Sequence, residues 1–329
     1  MTTFTDRHRS DFNYANIRPS PGSFGDIVWR DQAGDNVLWF MIENSPSFVG
    51  TLPTVTPDWH VKAVAYFGGF PFGNADILWQ NDNGALALWQ MTNATVTAIQ
   101  ALPNPGPTWH MVGDNDFNRD ATDDILFQND NGTLAIWTDV IDLFGIFAGT
   151  QNPGPSWHVV ATGDVDGDNK AGILWQNDNG ALVLWEDAFF PAGTGTFTFN
   201  TVFTPLTPPT VDPSWHVKGM PDVNGDGRSD IVFQHDSGAV VIWEMGNDAF
   251  GIKINAINLV DLNPGPAWHI VGLRDMNNDA HADILWQNDN GVTVLWEDYQ
   301  SHGGGSATYN TVALIDPNPN PNGGVWDLL

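Results

Sequence analysis

The chain contains no cysteine, so it carries no disulfide, no thiolate metal ligand and no thiol nucleophile, and it is indifferent to the redox state of its compartment. Basic residues are scarce. Against 39 Asp and Glu stand 11 Lys and Arg, a formal charge of −28. That sign repels phosphate backbones and anionic headgroups, which makes nucleic acid and membrane surfaces poor partners. It also works against a compact state by self-repulsion unless bound cations neutralise part of it, as calcium would. Long apolar runs are missing too, and the opening "MTTFTDRHRSDFNYANI" has no apolar core of signal-peptide length. The chain as given therefore reads as soluble, without membrane insertion, and export would need another route or a leader not present here. No segment sustains a helical apolar period, so very little helix is expected.

What is present repeats. A hairpin pattern occurs six times: "DIVWRDQAGDNVLWF" (26–40), "DILWQNDNGALALWQ" (76–90), "DILFQNDNGTLAIWT" (124–138), "GILWQNDNGALVLWE" (172–186), "DIVFQHDSGAVVIWE" (230–244) and "DILWQNDNGVTVLWE" (283–297). A Trp-His pair precedes five of them at Trp59, Trp109, Trp157, Trp215 and Trp268, and the final "GVWDLL" puts Trp326 where the next would fall. The spacings are 50, 48, 58, 53 and 58 residues. A period near 50 built of short β-rich runs and Gly/Pro/Asn/Asp punctuation predicts propeller blades. "WHVV" is expected to form the first strand, "ILWQ" the second, "ALVLW" the third after an "NDNG" turn, and runs such as "TVTAIQAL" the fourth.

The expected fold is an all-β, six-bladed β-propeller of four-stranded antiparallel blades, a single domain over 1–329. Residues 1–25 are expected to extend the first blade. Residues 324–329 would close the ring on it, removing open sheet edges.

The 16 tryptophans fall at three repeat positions: six in the Trp-His strand, six ending "LxLW", and four ending "DILW", where Phe127 and Phe233 complete the set. Packing between blades accounts for most of them. The "LxLW" rings are expected in the core. The "DILW" rings lie beside the polar turn and are expected nearer the surface, so Trp79, Trp175 and Trp286, with Asn81, Asn177 and Asn288, are the candidate ligand-binding residues. The histidines after the marker tryptophans stand one per unit, too far apart to share a metal, and a structural hydrogen bond in each is expected.

Between first and second strands the spacing of oxygens matters. In "DVNGDGRSD", Asp222, Asn224, Asp226 and Asp230 occupy the first, third, fifth and ninth places. Asp116, Asn118, Asp120 and Asp124 share that frame, as do Asp275, Asn277, Asp279 and Asp283. Alternate oxygens of a tight loop converge on one point, and hard oxygen donors suit Ca²⁺. The stretch "GDVDGDNKAGILW" keeps Asp164, Asp166 and Asp168 but has Gly172 at the ninth place, which predicts a weaker site or one completed by water. The second unit retains only Asp76, and no site is expected there. Asx-type turns without metal would use the same residues. Three full copies in one frame, in a strongly acidic chain, favour calcium in at least one loop.

On these residues the chain resembles the FG-GAP/VCBS repeat family, the calcium-loop propeller blades also found in integrin α-subunit heads and many bacterial surface and secreted proteins. The resemblance rests on "GDVDGDNKAGILW", "PDVNGDGRSDIVF" and "RDMNNDAHADILW". It implies calcium in the full loops and an extracellular or cell-surface location. The function then expected is a non-enzymatic, multivalent binding module, for a glycan by preference or for a protein surface, with oligomers allowed. An assembly scaffold is the alternative. A polysaccharide-acting enzyme is disfavoured, because the departures from the repeat, at 187–201, 235–238 and 301–306, offer no recognisable catalytic set.

Overall fold

The computed structural model describes residues 27–31, 33–42, 45–68, 75–92, 95–142, 145–203, 211–277, 279–315 and 326–328. Every helix or strand among them is a strand, and no helix is long and apolar enough to cross a membrane. The expected N-terminal extension over 1–25 lies outside the described residues.

We number the repeats as units I to VI. Unit II is the meander Trp59–Ala65, Asp76–Asn81, Leu86–Thr92 and Thr95–Leu102, a four-stranded sheet. Unit I forms another from Ile27–Asp31, Asn36–Ile42 and Ser45–Leu52, with Trp326–Leu328 paired beside Ile27–Asp31 so that Arg30 faces Asp327. Unit III comprises Trp109–Asn115, Asp124–Asn129, Leu134–Thr138 and Gly145–Gly149, and unit IV Trp157–Gly163, Gly172–Asn177, Leu182–Phe189 and Thr196–Phe203. Unit V comprises Trp215–Gly219, Ile231–His235, Val240–Asp248 and Gly251–Val260, and unit VI Trp268–Arg274, Asp283–Asn288, Thr293–Gly303 and Ser306–Leu314.

The expected separation into single sheets is modified here. Units III and IV fuse into one eight-stranded sheet, and so do V and VI. The seams are short parallel pairings of outermost strands, Ala148 with Thr196 and Leu259 with Ser306. The segments that departed from the repeat, 187–201 and 301–306, supply these seams by lengthening the last hairpin of units IV and VI.

The core is a series of layers between successive units. Leu78 and Leu88 of unit II pack with Ile125 and Phe127 of unit III, Leu126 and Ile136 of III with Ile173 of IV, and Leu174 of IV with Ile231 of V. Val232 and Ile242 of V pack with Ile284 of VI. Met276, Leu285 and Ile315 of unit VI join Ile27, Val28 and Trp29 of unit I, so the last repeat packs on the first. The arrangement is propeller-like. Second strands, flanked by sheets on both faces, are buried almost throughout, while the fourth strands of units II and V are mostly exposed or half-buried.

This layering corrects the expectation for tryptophan. Trp79 and Trp175 are 1% exposed and Trp286 is 0% exposed, so these rings cannot stack on a ligand. The polar turn is close in sequence, but the ring belongs to the strand with neighbours on both faces. Each instead meets the aromatic of the adjacent strand, with centroids 4.9 Å apart for Trp79 and Trp89, 5.0 Å for Trp175 and Trp185, and 4.7 Å for Trp286 and Trp296. The indole N–H groups of Trp29, Trp79, Trp175 and Trp286 are buried without acceptors.

A second buried side chain stitches units together. Gln80 donates to the Trp109 carbonyl at 2.8 Å and accepts from the Met111 N–H at 3.1 Å. Gln128 does the same to Trp157 and Val159 at 2.5 and 3.1 Å, and Gln234 to Trp268 and Ile270 at 2.7 and 3.1 Å. In unit I the role falls to Arg30, whose guanidinium donates to the carbonyls of Val55, Thr56 and Trp59.

Two predictions follow from burial. Gln128→Leu leaves a buried carbonyl and a buried N–H without partners, and the unfolding free energy in a urea titration should fall by about 2–4 kcal/mol; unchanged stability would show the stitch to be idle. Trp175→Phe removes an unpartnered N–H and copies the choice already made at Phe127 and Phe233. It should lie within about 1 kcal/mol of the parent, whereas Trp175→Ala should cost about 3–5 kcal/mol.

Candidate functional site

Strand registers place the two sets of polar residues at opposite ends of each unit. In unit III, Trp109 faces Asn129 at one end of the first hairpin and Asn115 faces Asp124 at the other. The aspartate loops lie at the second end, the Trp-His pairs and "NDNG" turns at the first.

At the aspartate end the loops share one construction. The first carboxylate gathers N–H groups from the fourth to sixth places: Asp116 accepts from Arg119, Asp120 and Ala121, Asp164 from Gly167, Asp168 and Asn169, and Asp222 from Gly225, Asp226 and Gly227. Asp275 accepts from Asp279 and Ala280. To curl this tightly the backbone is left-handed at the fourth and sixth places, at φ values of 66° and 67° for Arg119 and Ala121 and 77° and 63° for Gly167 and Asn169. Two of those three non-glycine residues, Arg119 and Ala121, have no side chain that favours this region, so the curl is held against a cost. The loops also touch in series: the carbonyls of Asp116, Asp164 and Asp222 accept the N–H groups of Ala171, Ser229 and Ala282 of the following loop at 2.8, 2.6 and 2.8 Å.

Within a loop, neighbouring polar groups bond one another. Asn118 donates to Asp120 at 2.8 Å, Asn277 to Asp279 at 3.1 Å, and Asn224 accepts the Asp226 N–H at 3.0 Å. Asp164, Asp166 and Asp168 each present a carboxylate oxygen within 4.8 Å of the other two. Those hydrogen bonds use only part of the acceptor capacity of a carboxylate, which has about four lone-pair sites.

The ninth-place carboxylates behave differently, because they start the buried second strand. Asp124 and Asp230 are fully buried and Asp283 is nearly so. One oxygen of each accepts the N–H of the second loop residue, Phe117, Val223 or Met276, at 3.0, 3.0 and 2.7 Å. The other oxygen of Asp230 accepts the Met245 N–H, while those of Asp124 and Asp283 have no hydrogen-bond partner. Burial pushes the Asp124 carboxyl up to about 9 and those of Asp230 and Asp283 up to about 8, against the pull of the N–H bonds and with the help of neighbouring carboxylates. The orphaned oxygens of Asp124 and Asp283 are hard donors of the kind a divalent cation of the calcium class takes, while among the described residues only Asp164, Asp166 and Asp168 bring three carboxylate oxygens within 4.8 Å of one another. In unit II Asp76 makes only the structural bond, accepting from Met91 at 2.9 Å.

In unit IV a residue outside the loop stands at the ninth place. A Cβ added to Gly172 would lie 2.1–2.2 Å from the carboxylate atoms of Glu186, which reaches across from the third strand and is 1% exposed. Sequence reasoning missed Glu186. Glu244 and Glu297 stand at the same repeat position, so nothing in the pattern sets Glu186 apart except the glycine opposite.

At the other end each marker histidine bonds an aspartate of the adjacent turn: His60 to Asp82, His110 to Asp130, His158 to Asp178, His216 to Asp236 and His269 to Asp289, at 2.8, 2.7, 2.9, 2.7 and 2.8 Å. The structural hydrogen bond expected for these histidines is therefore present in five units. Their neighbours Trp59, Trp109, Trp157, Trp215 and Trp268 are half-buried. The asparagines proposed as ligand contacts are engaged internally. Asn81 donates to Asp58 at 2.7 Å, Asn177 to Ser156 at 3.0 Å, and Asn288 accepts the Asn290 N–H at 3.2 Å, so they fix the turns.

Residues 222–286, from the Asp222 loop to Trp286 of the next unit, match the family model of the FG-GAP-like repeat, and the match does not single out the VCBS branch of the resemblance. No curated protein matches the chain. Among solved structures, the chain is similar to Raptor of Chaetomium thermophilum in its crystal structure, at 10% identity and a TM-score of 0.48; the likeness covers 88% of this chain and 24% of that one. The chain thus spans about a quarter of that protein's length, 24%. Residues 222–286 are thus an FG-GAP-like repeat by their match to that family model.

Proposed function

We propose that the protein is a non-enzymatic, calcium-binding six-bladed propeller that acts as a multivalent binding module, extracellular or cell-surface, with carbohydrate as its ligand. One observation carries the reading: five equivalent surface sets, each a half-buried tryptophan beside an exposed His–Asp pair, recur at the same end of successive units. An exposed aromatic face with adjacent hydroxyl-binding groups suits a sugar ring, and equivalent weak sites gain avidity on a repetitive ligand. The lectin surface is therefore moved from the buried "DILW" rings to the Trp-His rings. Use of the symmetry-breaking hairpins as seams between outer strands supports the absence of a catalytic centre.

Calcium is placed at the opposite end, in the loops led by Asp116, Asp222 and Asp275. Cation charge there offsets part of the −28 and gives the orphaned oxygens of Asp124 and Asp283 a partner.

A protein partner is the second reading, favoured by aliphatic side chains on the outer strands. Ile99, Val202 and Leu314 are 60%, 56% and 59% exposed. Such residues at sheet edges suit a flat protein contact or self-assembly.

Retention on immobilised glycans in calcium should be lost in Trp109→Ala combined with Trp157→Ala while melting stays cooperative. Absence of retention on any sugar, with a stable oligomer on size exclusion, would replace the lectin reading with assembly.

The calcium reading predicts a pH signature. Raised native carboxyl values mean that the folded, cation-free state holds protons that the unfolded chain releases above its ordinary carboxylate range, about 4. Stability in chelator should therefore fall as pH rises from that range towards about 8–9, the values of Asp230, Asp283 and Asp124. Calcium holds the carboxylates ionised, so it should raise the melting temperature most at high pH and flatten the dependence. Asp226→Ala with Asp279→Ala should shrink the calcium shift. Identical melting in calcium and chelator across this range would leave the loops as metal-free turns.

A further inference from the structure

Unit IV breaks the loop frame at one position and restores its chemistry from another strand. The ninth place is Gly172, at the start of the second strand; Ile173 pairs antiparallel with Trp185 of the third strand, so Glu186 falls opposite Gly172. The Glu186 carboxylate fills the space that a side chain at 172 would enter, with Cδ and both carboxylate oxygens 2.1–2.2 Å from an added Cβ. Glycine at 172 and glutamate at 186 are therefore mutually required. An aspartate at 172 could not share the space.

The carboxylate is also costly where it lies. It is 1% exposed, its Oε1 has no hydrogen-bond partner, and the three carboxylates whose field it feels most are Asp166, Asp164 and Asp168. Glu186 lies outside the set of Asp164, Asp166 and Asp168 oxygens that come within 4.8 Å of one another, yet a buried, unpartnered oxygen in the field of that set destabilises the cation-free fold. The matching glutamate of unit V avoids this: with Asp230 at the ninth place, Glu244 turns to accept from Asn258 and Tyr299 at 2.8 and 2.9 Å. Glu186 has taken the orphaned role that Asp124 and Asp283 hold in units III and VI.

We propose that Glu186 is the fourth carboxylate of a divalent-cation site with Asp164, Asp166 and Asp168, supplied from the neighbouring strand in place of the ninth loop residue. The inference rests on the reading of the aspartate loops as calcium sites and adds a donor that the loop itself lacks. With four carboxylates and no asparagine, this site has more negative charge than the others, which each combine three aspartates with one asparagine. It should be the tightest of the four, where the loop sequence alone predicts the weakest.

The test is calcium titration by calorimetry into the stripped full chain for the parent, Glu186→Gln and Asp226→Ala, with melting in chelator and in calcium. Glu186→Gln keeps shape and removes charge. The expected result is loss of the tightest class of sites, its affinity falling about ten-fold or more, while Asp226→Ala removes a weaker class. In chelator Glu186→Gln should melt at or above the parent, and in calcium below it, a reversal that a purely structural glutamate would not give. Exchanging the donor, as Gly172→Asp with Glu186→Ala, should return a calcium site to unit IV. If Asp226→Ala loses a site and Glu186→Gln binds like the parent, the swapped ligand is overturned and the calcium reading stands. If the parent takes up no calcium, both fall.

Discussion

The structure depends on buried side chains of one unit satisfying the backbone of the next. The first strand of each unit is the inner edge of its sheet, and its carbonyls and N–H groups would be left without partners where the sheets meet. Gln80, Gln128 and Gln234 answer that need with a donor and an acceptor on one planar amide, spaced to bridge a carbonyl and the N–H two residues on. Arg30 brings donors alone and takes three carbonyls. The bond runs from units I, II, III and V to their successors, so the units it joins are not complete by themselves. Packing of unit VI on unit I, with the strand at Trp326–Leu328 beside Ile27–Asp31, gives the terminal units the same support.

The aspartate loops follow this logic at the end of the same strands. A loop carbonyl accepts an N–H of the following loop, and the ninth-place carboxylate leaves the loop to cap its own second residue from a buried strand. Burial makes these carboxylates poor anions, yet no amide or hydroxyl stands in their place. An asparagine at 124 would relieve the like-charge repulsion and keep the bond to Phe117. Keeping a carboxylate there makes sense when a cation supplies the missing charge, since stability is then conditional on the ion.

Much of this was legible in the sequence because the repeat reports itself six times. Strand order, the "NDNG" turns and the His–Asp bonds follow from local chemistry that each copy restates. What was not legible depends on neighbours. The "DILW" rings stand close to a polar turn in sequence, yet Trp175 belongs to a strand covered on both faces, a property of the stacked units and not of the hairpin. The stitching glutamines look like part of the polar turn for the same reason. Gly172 was recognised as a gap, but Glu186 could be recognised as its filler only once the register set the two strands side by side.

The first strand connects the two ends of every unit. It is seven residues long in units II, III, IV and VI and begins at the half-buried tryptophan, and in III, IV and VI it ends at the aspartate loop. It carries a register shift at the same place each time, such as between Met111 and Gly113, which turns the loop end relative to the tryptophan end. In units III and IV its tryptophan carbonyl is held by the glutamine of the preceding unit and its far end by a loop that the following unit also contacts. On the proposed reading, a cation in the loop would act on a strand already fixed between two neighbours. It would hold position and spacing constant at the tryptophan end of successive units, which a surface of equivalent weak sites would need in order to meet a repetitive ligand in register.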